Sequence, residues 1–281
     1  MKIAIASGKG GTGKTTLAVN LAAALGNQAQ LLDCDVEEPN DHLFLPIIKG
    51  QNETVTAPVP EVDLDRCNFC GACGEICQFS AIVPLEQNVL VFPEMCHSCG
   101  GCFLVCEPEA IHERSRQLGE IHSGWSQEEV HCVYGHLRVG EAMAPPLIRE
   151  VKARMDPSRT VIIDAPPGTS CPVIAAIKDA DFVVLVTEPT PFGFHDLKLA
   201  VETTRTMGLP MGVVINQADI GTPEVQNYCD REQLPVLLSL PYSRQVAEAY
   251  SQGQLLIKAI PGFKEQMLAL MEQIRRGWQG S

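Results

Sequence analysis

Residues 1–35 read MKIAIASGKGGTGKTTLAVNLAAALGNQAQLLDCD. IAIAS is a short apolar run, TLAVNLAAALG is an Ala/Leu-rich stretch closed by Gly26, and AQLLDCD is a second apolar run. The pattern predicts strand, loop, helix, strand. The loop, Gly8-Lys9-Gly10-Gly11-Thr12-Gly13-Lys14-Thr15-Thr16, fits G-x-x-x-x-G-K-[ST] in its required place between a strand and a helix. Glycines let successive backbone N–H groups turn inward around phosphate oxygens, at a helix N-terminus whose dipole favours anions. Lys14 is then placed to reach the β- and γ-phosphates of ATP, and the Thr15 hydroxyl to meet Mg²⁺. A glycine-rich turn that binds nothing is the competing explanation, and pattern and context together argue against it.

Further along, TVIIDAP (160–166), DFVVLVTEP (181–189), MGVVINQAD (211–219) and LPVLLSLP (234–241) are apolar runs separated by helical stretches. This alternation predicts an α/β fold with a doubly wound, mostly parallel sheet of the P-loop type, covered on both faces. It is interrupted by a Cys-rich segment, so the expected domains are 1–60 and 114–281 for the P-loop part and 61–113 for an insert. Residues 114–150 show no clear pattern, apart from LIREVKARM, which reads as a helix feeding the strand at 160.

The insert is internally repeated. Cys67, Cys70, Cys73 and Cys77 recur as Cys96, Cys99, Cys102 and Cys106, and an Ala-Ile pair follows each quartet at 81–82 and 110–111. Both quartets have the spacing C-x₂-C-x₂-C-x₃-C of two-cluster bacterial ferredoxins, in which the fourth cysteine serves the other cluster. The expected ligand sets are Cys67, Cys70, Cys73 and Cys106 for one [4Fe–4S] cluster, and Cys96, Cys99, Cys102 and Cys77 for the other. Ferredoxins usually carry proline directly after the fourth cysteine, whereas here Gln78 follows Cys77 and Glu107 follows Cys106. Zinc more often uses separated C-x₂-C pairs, and a disulfide framework suits a small secreted chain better than this one.

The formal net charge of −13 leaves no electrostatic footprint for nucleic acid or an anionic membrane. No secretory signal leads the chain and no run approaches a membrane span, so a cytoplasmic protein without stable membrane anchoring is expected. Between 61 and 113, nine acidic residues face the single basic Arg66. That is either a well-solvated surface or a docking face for a basic redox partner.

The string KGGTGKT resembles the deviant Walker A loop of the MinD/Mrp/ParA and nitrogenase iron-protein superfamily, and four further segments extend the likeness. Asp33-Cys34-Asp35 resembles the Walker A′ motif, and DAPPGT from Asp164 to Thr169 the Walker B and switch II segment. Asn216 and the Leu240-Pro241-Tyr242-Ser243 segment resemble the adenine side. The resemblance implies a homodimer with ATP at its interface, in which Lys9 reaches the partner's nucleotide. It also implies Mg²⁺ held at Thr15 and, through water, at Asp164, and adenine read by Asn216 beside Pro241. Asp35 is the expected water-orienting carboxylate, with Glu38 and Asn40 as alternatives. Lys9, Lys14, Asp35 and Asp164 are thus the expected catalytic set.

Taken whole, the chain resembles MinD/Mrp-superfamily ATPases with an inserted ferredoxin domain. Three functions follow as expectations: an ATPase coupling nucleotide state to electron transfer, an iron–sulfur carrier or assembly ATPase, or a positioning ATPase with a redox-sensing ferredoxin. The first two imply a redox or iron–sulfur protein partner. Cys171, seven residues after Asp164, stands where the nitrogenase iron protein ligates an intersubunit cluster, with Cys132 a conceivable companion. A small structural thiol is the simpler reading of each. The histidines from His97 to His136 match no compact zinc pattern. Phe263, Met267, Leu270, Met271 and Ile274 form one core-facing helical stripe.

Overall fold

The computed structural model describes residues 1–279. They fall into two compact units: Met1–Asn52 with Ile121–His136 and Ile148 onward, and Glu53–Glu120 with Leu137–Leu147. In chain order the strands and helices begin with β1 (Lys2–Ala6), α1 (Lys14–Leu25), β2 (Ala29–Asp33) and β3 (Lys49–Val62). The cysteine-rich stretch holds α2 (Ala72–Ile76), β4 (Ile82–Pro84), β5 (Val89–Val91) and α3 (Gly101–Leu104). Then come β6 (Ile111–Trp125), β7 (His131–Leu137), α4 (Ala144–Lys152), β8 (Thr160–Asp164), α5 (Cys171–Ile177) and β9 (Phe182–Thr187). The chain continues with α6 (Pro191–Thr206), β10 (Met211–Ile215), α7 (Glu224–Arg231), β11 (Val236–Ser239), α8 (Arg244–Ser251), α9 (Leu256–Ala259) and α10 (Phe263–Gln279).

The first unit is built on parallel strands in the order β11-β10-β9-β1-β8-β2-β7. Its central strands are mostly apolar on both sides because both faces are covered. Ile3, Ile5, Leu31, Ile162, Val184 and Val214 join one buried cluster with residues of α1 and α10. The alternate residues Ala4, Leu32, Ile163, Val183 and Val213 are equally buried and point the opposite way. Phe263, Met267, Leu270, Met271 and Ile274 are all buried on α10. No described helix is long and apolar enough to cross a membrane.

The unpatterned stretch after 113 supplies two strands. β6 and β7 form a hairpin whose tight turn is closed by the Ser126 N–H donating to Val130 O at 3.0 Å. β6 also pairs with β3, the terminal strand of the sheet. Terminal position explains why β3 tolerates Pro58 and Pro60, since an edge strand needs no N–H on its open side. Val55, Ala57 and Val59 are buried there, while Thr56 and Pro58 between them are exposed. Periodicity did not reveal β6 because its inward positions include Arg116, Gly119 and Gly124 among the apolar ones. β3, β6 and β7 each run from the first unit into the second.

In the second unit the sequence repeat is also a backbone repeat. Phe69, Gly71 and Ser80 have φ of 56°, 85° and 51°, and their counterparts Ser98, Gly100 and Glu109 have 53°, 77° and 50°. Gly71 and Gly100 stand immediately before α2 and α3, in the left-handed region that glycine occupies at no steric cost. The β4–β5 hairpin pairs Ile82 with Val91, and Ile82, Val89 and Ile111 form a small core with five of the cysteines packed against it.

The same unit holds a buried ion pair. Arg116 Nη1 and Nη2 both donate to Glu141, whose side chain is fully buried, and Arg138 stands 3.8 Å away. Removing one member of a buried pair strands the other, which costs about 3–5 kcal/mol, whereas replacing both with apolar side chains is often neutral. Glu141→Ala should therefore destabilise the second unit by about 3 kcal/mol in urea unfolding of the loaded protein. The double change Arg116→Met with Glu141→Leu should recover most of the loss.

Candidate functional site

The C-terminal ends of β1, β2, β8, β9 and β10 converge on one cleft of about 620 Å³. Lys14, Thr15, Thr16, Asp35, Asn216 and Pro241 all line it. This is where an open parallel sheet places ligands, because loops leaving adjacent strand ends separate there. The loop that begins it is shaped by its glycines. Gly11 and Gly13 have φ of 78° and 97°, and a Cβ on Gly13 would stand 2.7 Å from Asn216 Nδ2. A Cβ on Gly8 would meet the backbone oxygen of Asp196 at 2.3 Å. Gly10 and Gly11 face open space, so their backbone is accessible from the cleft.

At the helix end of the loop, Thr15 Oγ1 donates to Asp164 Oδ2 at 2.7 Å. That bond ties the first turn of α1 to the end of β8 and places a hydroxyl and a carboxylate side by side. The pair suits Mg²⁺, which prefers octahedral oxygen ligands and keeps several waters. The buried Lys14 stands close enough to draw the ionisation of Asp35 and Asp164 downward. The segment after Asp164 is pinned to β1 and its exit: Ala165 N–H donates to Ile5 O and Gly168 N–H to Ser7 O, both at 3.0 Å.

Two expected residues have additional partners. The Asn216 amide donates to Thr12 O at 3.0 Å and its Oδ1 accepts from the Gln217 N–H, so it braces the loop from across the cleft. Lys9 Nζ lies 3.2 Å from Glu188 Oε2, at the end of β9, and so is held by its own chain. Glu188 was not singled out from the sequence, although a charged residue just past a parallel strand is the signal that could have found it.

Asp41 was also missed. Asp33 accepts N–H bonds from Asp35, Asn40 and Asp41, which wraps the loop after β2 around its carboxylate. That wrapping buries Asp41, and ligand oxygens of Asp33, Asp41 and Asp164 come within 4.8 Å of one another. Neither Asp41 carboxylate oxygen, nor Asp164 Oδ1, has a hydrogen-bond partner of ordinary kind among the described residues. Burial, reinforced by Asp164, pushes the Asp33 carboxyl well above its ordinary range, and burial with Asp33 and Asp164 does the same to Asp41. Burial raises Asp164 to about 6 against the pull of Lys14, and raises Asp35 to about 6 as well.

The second unit brings its eight repeated cysteines together in two groups. Cys67, Cys70, Cys73 and Cys106 line one cavity, and Cys77, Cys96, Cys99 and Cys102 line another. Each cavity therefore has three cysteines from one repeat and the fourth from the other. Among the described residues no three of these thiols come within 4.8 Å of one another. A tetrahedral zinc with Zn–S near 2.3 Å would draw its sulfurs to about 3.8 Å, closer than any three of them stand here. Backbone N–H groups point at matched sulfurs: Phe69 to Cys67 and Ser98 to Cys96 at 3.4 Å, Ala81 to Cys77 at 3.3 Å and Ala110 to Cys106 at 3.2 Å. Such donors stabilise negative charge on sulfur. At Cys77 burial pushes the thiol up, but four backbone amides outweigh it and leave it below its ordinary value.

The remaining cysteines separate. Cys171 is exposed at the start of α5, whereas Cys132 is buried in the sheet core and donates to Val130 O at 3.7 Å. A core thiol cannot reach an intersubunit cluster, so the pairing of Cys132 with Cys171 falls.

A family model for the CobQ/CobB/MinD/ParA nucleotide binding domain matches residues 3–257. An uncharacterized protein of Methanocaldococcus jannaschii is 33% identical over 280 residues, covering 98% of this chain and 96% of its own length. An iron-sulfur cluster carrier protein of Aquifex aeolicus is 26% identical over 277 residues, covering 92% of this chain and 62% of its own length. The fold is similar to that of the septum site-determining protein MinD of Pyrococcus horikoshii, solved with Mg-ADP. The TM-score is 0.58 at 21% identity, over 97% of this chain and 95% of that one.

The raised carboxylates give opposite pH responses. As pH falls from 7 through about 6, Asp35 and Asp164 take up protons in the folded chain but not in the unfolded one. These groups therefore add stability to the ligand-free protein on acidification, until the unfolded carboxylates titrate near 4. Protonation also removes charge that would meet Mg²⁺. Between pH 7 and 5, the ligand-free melting temperature should gain from this pair while Mg-nucleotide affinity falls. Calorimetric titration across that range checks both.

Proposed function

Because the chain belongs to the CobQ/CobB/MinD/ParA nucleotide-binding family, we propose that it is a cytoplasmic ATP-hydrolysing iron–sulfur protein coupling nucleotide state to electron transfer. In this reading the second unit is an inserted ferredoxin-like module with two [4Fe–4S] clusters. The observation that carries the reading is the pair of crossed four-cysteine cavities in the same chain as a P-loop joined to Asp164 through Thr15.

The chain's own residues divide the work as follows. The loop amides of 10–15 cradle the phosphates, and Lys14 offsets charge that builds on the γ-phosphate. Thr15 and Asp164 hold Mg²⁺, Asp164 through water. Asp35 lines the cleft and is the preferred residue to orient the attacking water, with Glu38 and Asn40 beside it on the same wall. Pro241 flanks the base, and Asn216 steadies the loop beneath it. Lys9 completes the site of a second copy in a homodimer, and to do so it must leave Glu188. In the module, Cys67, Cys70, Cys73 and Cys106 hold one cluster, and Cys96, Cys99, Cys102 and Cys77 the other. The clusters supply one-electron chemistry at low potential. The acidic surface of 61–113 suits a basic redox partner.

Lys9→Ala should keep nucleotide binding and lose hydrolysis by roughly 10³-fold, as expected for a charge supplied in trans. Glu188→Gln frees the lysine and should raise the dimer fraction measured with a non-hydrolysable ATP analogue. A monomeric, fully active Lys9→Ala protein would refute the dimer. The coupling itself is tested by cluster reduction potentials and electron-transfer rates to a generic acceptor with no nucleotide, with ADP and with the analogue. Equal values in all three states sink it.

A second reading, an iron–sulfur cluster carrier, is favoured by the likeness to proteins named for that role. It predicts loss of iron to an apo-acceptor, at a rate set by nucleotide. Eight cysteines enclosing two cavities favour retention instead. Cys106→Ser should disturb the cluster of Cys67, Cys70 and Cys73 and leave the other intact, read as selective loss of about half the iron and one EPR signal.

A further inference from the structure

The loop that follows β2 does more than close the carboxylate cluster. Its turn, Asp41–Leu43, places two consecutive side chains in different surroundings. Asp41 points at Asp33 and Asp164 and has no other hydrogen-bond partner among the described residues. His42 turns the other way, and its ring stacks on Tyr134 of β7 with centroids 4.9 Å apart. Tyr134 in turn stacks on His122 of β6 at 4.6 Å and an interplanar angle of 11°. His122 Nδ1 lies 2.7 Å from Asn52 Oδ1 on β3. Tyr134 is also the register partner of Asp33, the residue whose carboxylate holds the loop.

A continuous column of contacts therefore runs from the Asp164 carboxylate to the three strands that lead into the cysteine-rich unit. His42 Nδ1 has no hydrogen-bond partner among the described residues, so on that side stacking rather than a polar tether locates the ring. The same turn reaches the cleft at a second point, through Phe44 and its ring contact at 5.0 Å with Tyr250, which lines the cleft wall. Mg²⁺ and phosphate arriving beside Thr15 and Asp164 alter the charge that Asp41 faces. Asp41 is a few atoms from His42 along a backbone already tied to Asp33. A shift of this turn moves the stacked ring, and close-packed contacts of this kind pass displacement on rather than absorbing it.

We propose that Asp41 senses the state of the nucleotide site, and that the ring column His42–Tyr134–His122 transmits it to strands β6 and β7. These are positioning residues, since none of the three rings touches the cleft. The proposal rests on nucleotide binding at the P-loop as read above. It names a route within the first unit by which the state of that site reaches β6 and β7.

The test is hydrogen exchange, followed by mass spectrometry, on the full cluster-loaded chain under anaerobic conditions. Samples carry no nucleotide, Mg-ADP or a non-hydrolysable ATP analogue with Mg²⁺. In the unaltered protein, nucleotide should protect the peptide covering 8–20 and also change exchange in peptides covering 111–125 and 131–137. Tyr134→Leu should keep the first effect and lose at least nine-tenths of the second, while Tyr134→Phe, which keeps the ring, should retain both. If Tyr134→Leu does not fold, His122→Ala breaks the column from its other end and should give the same result. Protection at 8–20 with no change at 111–125 in the unaltered protein overturns the relay and leaves the nucleotide reading standing. Full transmission in a folded Tyr134→Leu or His122→Ala variant also overturns it. No protection at 8–20 removes the nucleotide reading, and the relay with it.

Discussion

The hydrogen bond from Thr15 to Asp164 is the contact on which the rest of the first unit depends. It joins the helix that receives phosphate to the strand that carries the carboxylate, across a pair of strands already in register from Lys2–Val161 to Ile5–Asp164. Because Asp164 is fixed there, its crowding by Asp33 and Asp41 is also fixed. Burial pushes all three carboxyls toward the protonated form, and for Asp33 and Asp41 the neighbouring carboxylates add to it, like charges about 4–5 Å apart repelling by roughly 3 kcal/mol at an effective dielectric near 20. A divalent cation reverses that penalty. The ligand-free site is thus loaded against itself, in an arrangement that a divalent cation would relieve.

The second unit solves a different problem with little apolar material. Around the cysteines the core is small, three buried aliphatic side chains with five cysteines packed against them. A region so poorly supplied with core gains order from cross-links or a bound group. Exchanging the fourth cysteine between repeats makes each group span both halves of the unit. Matched positive-φ residues at 69 and 98, 71 and 100, and 80 and 109 turn the chain so that amides, rather than side chains, face the sulfurs.

Much of this was legible in the sequence where the signal was local or repeated. The P-loop reads directly because its glycines, lysine and threonine must be contiguous to close around a phosphate. The cysteine groups read directly because the same spacing occurs twice. The apolar strands read as runs because both their faces are buried. β6 was hidden because it seats Arg116 inward, and that arginine is tolerable only through Glu141, 25 residues away, which no window of periodicity can see. β3 was hidden by Pro58 and Pro60, which argue against a strand until its edge position is known. Asp41 looks like any acidic loop residue, and only the three N–H bonds converging on Asp33 bury it. Tyr134 and His122 carry no motif at all. They matter because β6 and β7 fold back beside β2.

Lys9 and Asp41 show opposite ways of holding a charged side chain ready. Lys9 is half-exposed and already paired with Glu188, so moving it exchanges one ion pair for another and costs little, as surface pairs generally do. Asp41 is buried and faces only other carboxylates, so it cannot be relieved by solvent and must respond to whatever reaches Asp164. The first arrangement suits a side chain that can change partners. The second suits one that stays in place and passes on a change of charge. The two thus stand on opposite terms beside one site, Lys9 within the phosphate loop and paired to the end of β9, Asp41 in the turn that follows β2.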